Sequence, residues 1–276
     1  MLPPRKGIVV ERLPNGTIVH DEIRSKVFKV KSYLGGGGFG KAFRAVEMSG
    51  HRERPGTDTC LKFTRRSDEW HGEVYFGGLL KGQSHVVRMN AAFPTMIHNR
   101  GRPRTAFVID MELIDSGTVR EHFEAGDTPW TEAQVRFRVK QLLKPLSLLH
   151  DMGVSHRDIT PPNVFVGNRK MLKLGDFGIT KAQLKPSGSD ADVYNPAFRP
   201  RGLGTWWNPR DDVFQMGLLM ATLLAGEEVY GGEYFPGVPF INQITSKGPF
   251  RDAVKDCLRV RAQRIATAGD LLARLH

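Results

Sequence analysis

The chain has 276 residues, 40% hydrophobic and 25% charged, which is typical of a globular protein, and no apolar run approaches the ~20 residues of a membrane span. Its two cysteines, Cys60 and Cys257, are too few for a disulfide framework and favour a reducing, cytoplasmic setting, although one bridge between them stays open. The net charge of +11 lies mostly in residues 1–112, without a basic tract or stacking aromatics, so we expect acidic protein partners rather than a dedicated nucleic-acid site.

The first part of the chain is predicted to be mainly β-structure. Residues 1–11 carry basic residues without an apolar block behind them, so no signal peptide is expected. Pro14-Asn15-Gly16 lies between two apolar runs, residues 8–10 and 17–19, which predicts a hairpin. A polar stretch over residues 50–58 is interpreted as a connection. Further strands are predicted over residues 27–34, 42–48, 59–64 and 106–111, and a helix over residues 68–80.

The second part of the chain is predicted to be helical. Thr131 and Gln134 form a capping box that begins a helix, and Trp130 can pack on Val135 as a hydrophobic staple. Pro145 lies inside that apolar pattern and predicts a kink or a shorter helix. Two more helices are predicted, a buried one over residues 212–225 that ends at Gly226 and an amphipathic one over residues 266–275.

A glycine-rich stretch lies between two of the predicted strands, and Gly35, Gly37 and Gly40 in it match G-x-G-x-x-G. Because glycine has no Cβ, such a backbone can approach phosphates and offer its N–H groups. A dinucleotide fingerprint would lead from a strand into a helix, whereas this stretch returns to a strand. Taken alone, the motif is equally compatible with a flexible hairpin.

Lys62 ends a predicted strand whose other residues suit buried positions. An unpaired buried charge is costly, so this lysine needs a partner, and Glu73 on the following helix is the natural one. A lone lysine at the end of a strand is usually exposed. Its position after the glycine-rich stretch makes a nucleotide-binding role the preferred interpretation.

The strongest signal is the run His156-Arg157-Asp158-Ile159-Thr160-Pro161-Pro162-Asn163, followed by Asp176-Phe177-Gly178. One carboxylate on such a loop can orient an attacking hydroxyl and accept its proton. An amide and a second carboxylate can hold metal ions, and phosphoryl transfer needs both functions. Any single aspartate here would more often be a turn residue, but the ordered set indicates a phosphotransferase.

These motifs resemble the eukaryotic-type protein kinase family, including its bacterial Ser/Thr members, over roughly residues 27–275. The resemblance implies an α+β, bilobal protein kinase fold, with one main helix in a β-rich N-lobe and a mostly helical C-lobe. It implies a single domain over residues 1–276, divided into an N-lobe at about 1–111, a hinge at about 112–117 and a C-lobe at about 118–276. The nucleotide site would lie in the cleft between the lobes.

The same resemblance implies that the chain transfers the γ-phosphate of ATP, with Mg²⁺, to Ser/Thr hydroxyls of proteins and also autophosphorylates. Lys62 would bind the α- and β-phosphates and pair with Glu73. The backbone of Glu112 and Ile114 would meet the adenine beside a gatekeeper, Met111. The phosphates would be covered by the glycine-rich stretch, which consists of Leu34, Gly35, Gly36, Gly37, Gly38, Phe39, Gly40, Lys41 and Ala42.

In the second part of the chain, Asp158 would be the catalytic base, and Asn163 and Asp176 would be magnesium ligands. Asp212 would anchor the backbone of the catalytic loop. His156 and Phe177 would align the site by packing. The regulatory candidates are Arg157, which would pair with an activation-loop phosphate, and three possible phosphorylation sites, Ser187, Ser189 and Tyr194.

Some positions depart from the family pattern. Thr160 stands where Ser/Thr kinases place a lysine that helps to neutralise the transferred phosphate. Phe198-Arg199-Pro200 stands where Ala-Pro-Glu is usual, so the retained Arg264 would either pair elsewhere, with Asp211 as the candidate, or remain exposed. The helix of Glu73 contains Gly77-Gly78, which suggests a mobile helix with regulated docking.

Two other classes of protein stay open. One is a nucleotide-binding pseudokinase that serves as a scaffold, which Thr160 and the missing glutamate favour. The other is a small-molecule phosphotransferase of the aminoglycoside type, whose catalytic loop typically lacks His-Arg-Asp. The sequence does not specify the substrate, the activating signal or the oligomeric state.

Overall fold

The computed structural model describes residues 12–37, 40–64, 67–99, 102–178, 180–182, 196–200 and 207–275. Its strands are β1 (Ile18–Asp21), β2 (Lys26–Gly37), β3 (Gly40–Ser49), β4 (Arg52–Thr64), β5 (Met89–Asn99), β6 (Arg102–Glu112), β7 (Val154–Ser155), β8 (Val164–Gly167), β9 (Met171–Leu174) and β10 (Lys181–Ala182). Its helices are α1 (Ser67–Leu79), α2 (Val119–Glu124), α3 (Glu132–Asp151), α4 (Pro209–Ala225), α5 (Val238–Ile244), α6 (Pro249–Leu258) and α7 (Ala268–Arg274).

The chain divides by its internal contacts into two units, the first made of residues 1–82 and 87–113 and the second of residues 83–86 and 114–276. The first unit contains a six-stranded antiparallel sheet in the order β1-β2-β3-β4-β6-β5, with α1 packed on it. Alternate residues of these strands point to one face and form the core. Members of that core with at most 2% exposure include Val19, Phe28, Val30, Phe43, Leu61, Phe63, Phe93 and Val108.

In this sheet, β4 is longer than predicted and β5 is an additional strand. β4 begins at Arg52 rather than at Thr59, because the polar stretch continues the β3–β4 hairpin, with Met48 opposite Glu53. β5 was not predicted at all. Its buried residues, Phe93, Thr95 and Ile97, alternate with exposed ones that include Pro94. A proline is tolerated there because β5 lies at the edge of the sheet.

The second unit is built mainly of helices. In α3, the Thr131–Gln134 capping box is present as predicted, and both Trp130 and Val135 are buried. α3 runs through Pro145 to Asp151, so the predicted shorter helix is wrong. Pro145 is itself buried, and the packing of this apolar face compensates for the hydrogen bond that a proline cannot donate.

α4 is the most buried helix of the second unit in the described part of the chain, and it is apolar nearly all round, as predicted. Asn208 caps its N-terminus and Pro209 is its first residue, while Gly226 ends it in the left-handed conformation with φ 76°. None of the helices in the described ranges combines the length and the apolarity needed to cross a bilayer.

Two short antiparallel ribbons, β8–β9 and β7–β10, complete the second unit. Residues 83–86 join the first of them, because the Leu174 amide donates to the His85 carbonyl at 2.9 Å. The predicted strand over residues 8–10 lies outside the described residues. The turn that follows it is present, with the Thr17 amide donating to the Pro14 carbonyl at 3.1 Å.

Candidate active site

The glycine-rich stretch joins β2 to β3 in the first unit, with Gly35 opposite Ala42 and Gly36 opposite Lys41. A Cβ atom on Gly36 would come within 2.7 Å of the Gly40 carbonyl oxygen. Gly40 has φ 153°, and a Cβ there would collide with the Phe63 carbonyl. Close approach of neighbouring backbone therefore requires glycine at both positions.

Lys62 is buried near the end of β4, directly across the sheet from Ala42 of the glycine-rich stretch. Its Nζ lies 2.9 Å from Oε1 of Glu73 on α1, and side-chain exposures of 10% and 5% show that the ion pair is largely removed from water. Such a pair holds its lysine in place, because separating the partners would leave a buried charge uncompensated.

The strand β6 delivers the residues expected to contact adenine. Met111 and Glu112 end β6, and Ile114 follows two residues later as part of the second unit. The Glu112 amide donates to the Arg88 carbonyl at 2.9 Å, while the Arg88 amide donates to Glu112 Oε1 at 2.7 Å. These paired contacts fix the backbone where β6 ends.

In the second unit, Asp158 and Asn163 lie on the loop between β7 and β8. The Asn163 Nδ2 donates to Asp158 Oδ2 at 2.6 Å and to the Asp158 carbonyl at 3.1 Å. The Thr160 amide also donates to the Asp158 carbonyl, at 3.0 Å, and the Asn163 amide donates to the Thr160 carbonyl at 2.9 Å. The loop therefore closes on itself around Asp158.

The β8–β9 ribbon brings Asp176 to the same end of the hairpin as Asn163. Val164 pairs with Leu174, and the Gly175 amide donates to the Asn163 carbonyl at 3.0 Å. Asp176 follows with φ 57°, a left-handed conformation that is uncommon for residues with a Cβ atom, although aspartate adopts it more readily than most.

These two residues suit magnesium. The amide nitrogen of Asn163 is turned toward Asp158, which leaves its oxygen for a cation, and Asp176 supplies a carboxylate. Mg²⁺ is commonly bound by one or two such oxygen groups together with substrate phosphates and water. The described residues contain no cluster of three or more His, Cys, Asp or Glu side chains suited to a metal.

Asp212, near the start of α4, holds the backbone of the catalytic loop as the resemblance predicted. Its Oδ2 accepts from the His156 amide at 2.7 Å, and its Oδ1 accepts from the Arg157 amide at 2.9 Å. His150 and Trp207 also donate to it, at 3.0 and 2.7 Å. Burial alone would raise the pKa of Asp212. The hydrogen bond from His150, the electrostatic effects of His150 and His156, and the hydrogen bond from the Arg157 amide together outweigh burial and lower that pKa.

His156 and Phe177 pack together, as predicted, with ring centroids 4.9 Å apart. The imidazole of His156 is fully buried, and burial lowers its pKa because it disfavours the charged ring; Asp212 and Asp176 oppose that effect in part. The Asp158 amide donates to His156 Nδ1 at 3.3 Å, which requires the neutral ring.

Arg264 pairs with Asp211, which confirms the prediction for the departure at Phe198-Arg199-Pro200. The distance from Arg264 Nη1 to Asp211 Oδ1 is 3.1 Å, and both side chains are almost completely buried. The Arg264 guanidinium also lies over the ring of Phe214, 4.7 Å from its centroid.

Two further residues predicted from the sequence, Thr160 and Arg157, lie on the loop between β7 and β8. Thr160 is buried, with 1% exposure, and Arg157 is buried with φ 75°. Gly38, Phe39, Ser187, Ser189 and Tyr194 lie outside the described residues.

Three polar residues were not predicted from the sequence. His150 and Trp207 donate hydrogen bonds to Asp212, and Gln215 binds the backbone beside Asp158. The available signal for Gln215 was a polar residue three positions after Asp212, which places both on one face of an otherwise apolar helix.

This chain belongs to the protein kinase family, because the model of the protein kinase domain matches residues 28–255. It is 34% identical over 173 residues to a putative cyclin-dependent kinase F-2 of Oryza sativa subsp. japonica, covering 60% of this chain and 52% of that protein. It is 24% identical over 275 residues to the serine/threonine-protein kinase PknD of Mycobacterium tuberculosis, covering 90% of this chain and 39% of that protein.

A third relative is the serine/threonine-protein kinase pakC of Dictyostelium discoideum, 25% identical over 272 residues, with 92% of this chain and 54% of that protein covered. The match thus spans between 39% and 54% of the length of these three curated relatives.

Proposed function

We propose that this chain is an ATP-dependent protein kinase that transfers the γ-phosphate of Mg-ATP to serine and threonine hydroxyls of proteins. The observation that carries the proposal is the 2.6 Å hydrogen bond between Asn163 Nδ2 and Asp158 Oδ2, at the hairpin end that bears Asp176. A candidate base and two candidate metal-binding groups therefore belong to one hydrogen-bonded loop system.

The proposed roles follow from the chemistry of these groups. Asp158 would accept a hydrogen bond from the attacking hydroxyl and take up its proton, with the Asn163 amide fixing the orientation of the carboxylate. Asn163 and Asp176 would hold magnesium, which neutralises charge on the phosphates when it is bound. Lys62, kept in place by Glu73, would bind the non-transferred phosphates beneath the glycine-rich stretch.

Serine/threonine specificity is supported by two relatives that are serine/threonine-protein kinases, PknD and pakC. Thr160 in place of the family's lysine removes one positive charge from beside Asp158, so we expect slower transfer rather than loss of activity. Autophosphorylation would fall on Ser187, Ser189 or Tyr194. Mass spectrometry of protein incubated with Mg-ATP tests this point, and an absence of phosphate in residues 181–198 would contradict it.

A cytoplasmic location is part of the same proposal. Cys60 and Cys257 are both free, so no disulfide joins them. Burial raises the pKa of the Cys60 thiol to about 12. Free, protonated thiols suit a reducing compartment.

The decisive experiment compares purified wild-type protein with Asp158→Ala and Lys62→Ala in transfer of labelled phosphate from Mg-ATP to generic protein substrates. We expect both variants to lose activity by about a thousandfold or more. Asp151→Ala and Lys81→Ala, which change exposed residues of the same types, serve as matched controls and should retain activity.

The outcomes separate the three classes of protein. Wild-type protein that binds ATP but transfers nothing would favour the scaffold class. Transfer to small molecules but not to proteins would favour the small-molecule phosphotransferase. Retained activity in Asp158→Ala would refute the proposed base.

A further inference from the structure

Gln215 is a polar side chain in the interior of the buried helix α4, with 2% exposure. It follows Asp212 by three residues, so both side chains leave α4 on the same face. Nothing in the roles of Asp158, Asn163 or Asp176 accounts for an amide at this position. A buried amide carries a desolvation cost unless its oxygen and its nitrogen find partners.

The amide of Gln215 contacts the backbone on both sides of Asp158. Its Oε1 accepts from the Ile159 amide at 2.8 Å, and its Nε2 lies 3.4 Å from the Arg157 carbonyl. The same Nε2 lies 3.4 Å from the Phe198 carbonyl, so each of its two hydrogens has an acceptor. The peptide groups before and after Asp158 are therefore bound by a single side chain.

The backbone of Arg157 needs hydrogen bonds of this kind to keep its conformation. Arg157 has φ 75°, which is unfavourable for a residue with a Cβ atom and persists only where the surroundings impose it. Asp212 Oδ1 binds the Arg157 amide at 2.9 Å, and Gln215 binds the Arg157 carbonyl. Both polar groups of the Arg157 backbone are thus held by side chains of α4.

We propose that Gln215 is a positioning residue for the catalytic aspartate. By fixing the peptide groups on either side of Asp158, it sets the direction in which the carboxylate leaves the loop. Through the Phe198 carbonyl it also makes the position of Asp158 depend on the turn over residues 196–198. This inference rests on the proposed kinase function.

Gln215→Met tests the inference, because methionine has a similar volume and neither donor nor acceptor of comparable strength. The matched control is Thr222→Val in the same helix, since the Thr222 hydroxyl is also buried and accepts a backbone amide, that of Val229, at 3.0 Å. Both variants remove a buried hydrogen-bonding group from α4, and Gln215→Met alone affects the catalytic loop.

We expect Gln215→Met to lower kcat by about 10- to 100-fold, while the Kd for Mg-ATP and the KM for the protein substrate stay within about twofold. Thr222→Val should keep kcat within about twofold of wild type. Hydrogen exchange of the Ile159 amide, measured by NMR, should be faster in Gln215→Met than in both wild type and Thr222→Val, because its acceptor has been removed.

An equal kcat in Gln215→Met and Thr222→Val, or unchanged exchange at Ile159, would overturn the inference while leaving the proposed function intact. A different outcome is that wild-type protein transfers no phosphate while exchange at Ile159 is still faster in Gln215→Met. That outcome would refute the proposed function and leave the hydrogen bond between Gln215 and the Ile159 amide established.

Discussion

His156 is a fully buried imidazole directly before the left-handed backbone at Arg157. Its neutral ring accepts a hydrogen bond from the Asp158 amide and packs on Phe177, so it supports the loop that carries the candidate base. The same burial lowers its pKa and thereby makes the stability of the fold sensitive to pH.

The direction of this effect follows from proton binding. In the unfolded chain His156 takes up a proton near pH 6.5, whereas in the folded chain it does so only at lower pH. Its contribution to stability is therefore full above pH 6.5 and declines as the pH falls below that value. We expect the free energy of unfolding to drop between pH 7 and pH 5, with up to about 1.4 kcal/mol per pH unit arising from this one group.

Urea denaturation of wild type and His156→Phe at pH 7, 6 and 5 measures that contribution, because the variant lacks the titrating ring and should show a shallower decline. Substitution of the exposed His98 by glutamine is the control. Identical pH slopes in wild type and His156→Phe would refute the assignment.

At the scale of the elements, two helical glycines, one in the last turn of α1 and one inside α4, have opposite surroundings. In α1, a Cβ atom on Gly78 would meet no atom within 4 Å. In α4, a Cβ on Gly217 would approach the Cβ of Cys257 to 2.7 Å and the Leu258 side chain to 3.0 Å, because α4 and α6 pack closely there. Helix propensity favours alanine at both positions, but packing permits it at one.

We therefore expect Gly78→Ala to raise the free energy of unfolding by about 1 kcal/mol. Gly217→Ala should lower it by about 1–3 kcal/mol, since α6 would have to move. Urea denaturation of the two variants beside wild type provides the measurement. Effects of the same sign would show that the surroundings of these glycines are not as described.

The elements that could be predicted from sequence were those with a local signal. The Thr131–Gln134 capping box, the run that ends at Gly226 and the hairpin of the glycine-rich stretch each depend on residues that are close together in the chain. β5 lacked such a signal. Pro94 argues against a strand unless that strand lies at the edge of a sheet, and which strand lies at the edge depends on the order of all the strands.

The same distinction applies to the candidate site. Lys62, Asp158, Asn163 and Asp176 could be found because their motifs are short and ordered. Gln215 could not, since a glutamine in an apolar helix does not indicate which backbone groups it will bind some 56 residues away in the chain. The hypothesis that α1 is mobile stays a prediction.

At the scale of the whole molecule, the dominant property is a net charge of +11. Many basic residues of the sheet already have acidic partners, such as Lys26 with Glu47 at 2.5 Å and Arg44 with Asp58 at 2.9 Å. Most of the excess positive charge belongs to residues 1–112, and it gives the protein a positive electrostatic field. Such a field accelerates the approach of acidic partners and is weakened by salt.

We expect an acidic peptide substrate to have a lower KM than the matched peptide with Asn and Gln in place of Asp and Glu. Raising the salt from about 50 to 500 mM should remove most of that difference, because the Debye length falls well below 10 Å. Steady-state kinetics with the two peptides at both salt concentrations measures it. A preference that is independent of salt would point to a specific acidic pocket instead.

The β8–β9 hairpin has Asn163 and Asp176 at one end and its turn at the other. This arrangement has a practical consequence for protein engineering. Lengthening either strand by a single residue would rotate one of these two side chains to the opposite face of the ribbon. Extra residues at the far tip, between Arg169 and Lys170, would leave the pairing of 164–167 with 171–174 untouched. They would put at risk only contacts at the tip, which are the hydrogen bonds from the Met171 amide to the Asn168 carbonyl and from Arg138 to the Arg169 carbonyl, and the packing of Lys170 on the Trp130 ring. That tip is accordingly a suitable place to graft an epitope or a fluorescent reporter without disturbing the chemistry at the other end.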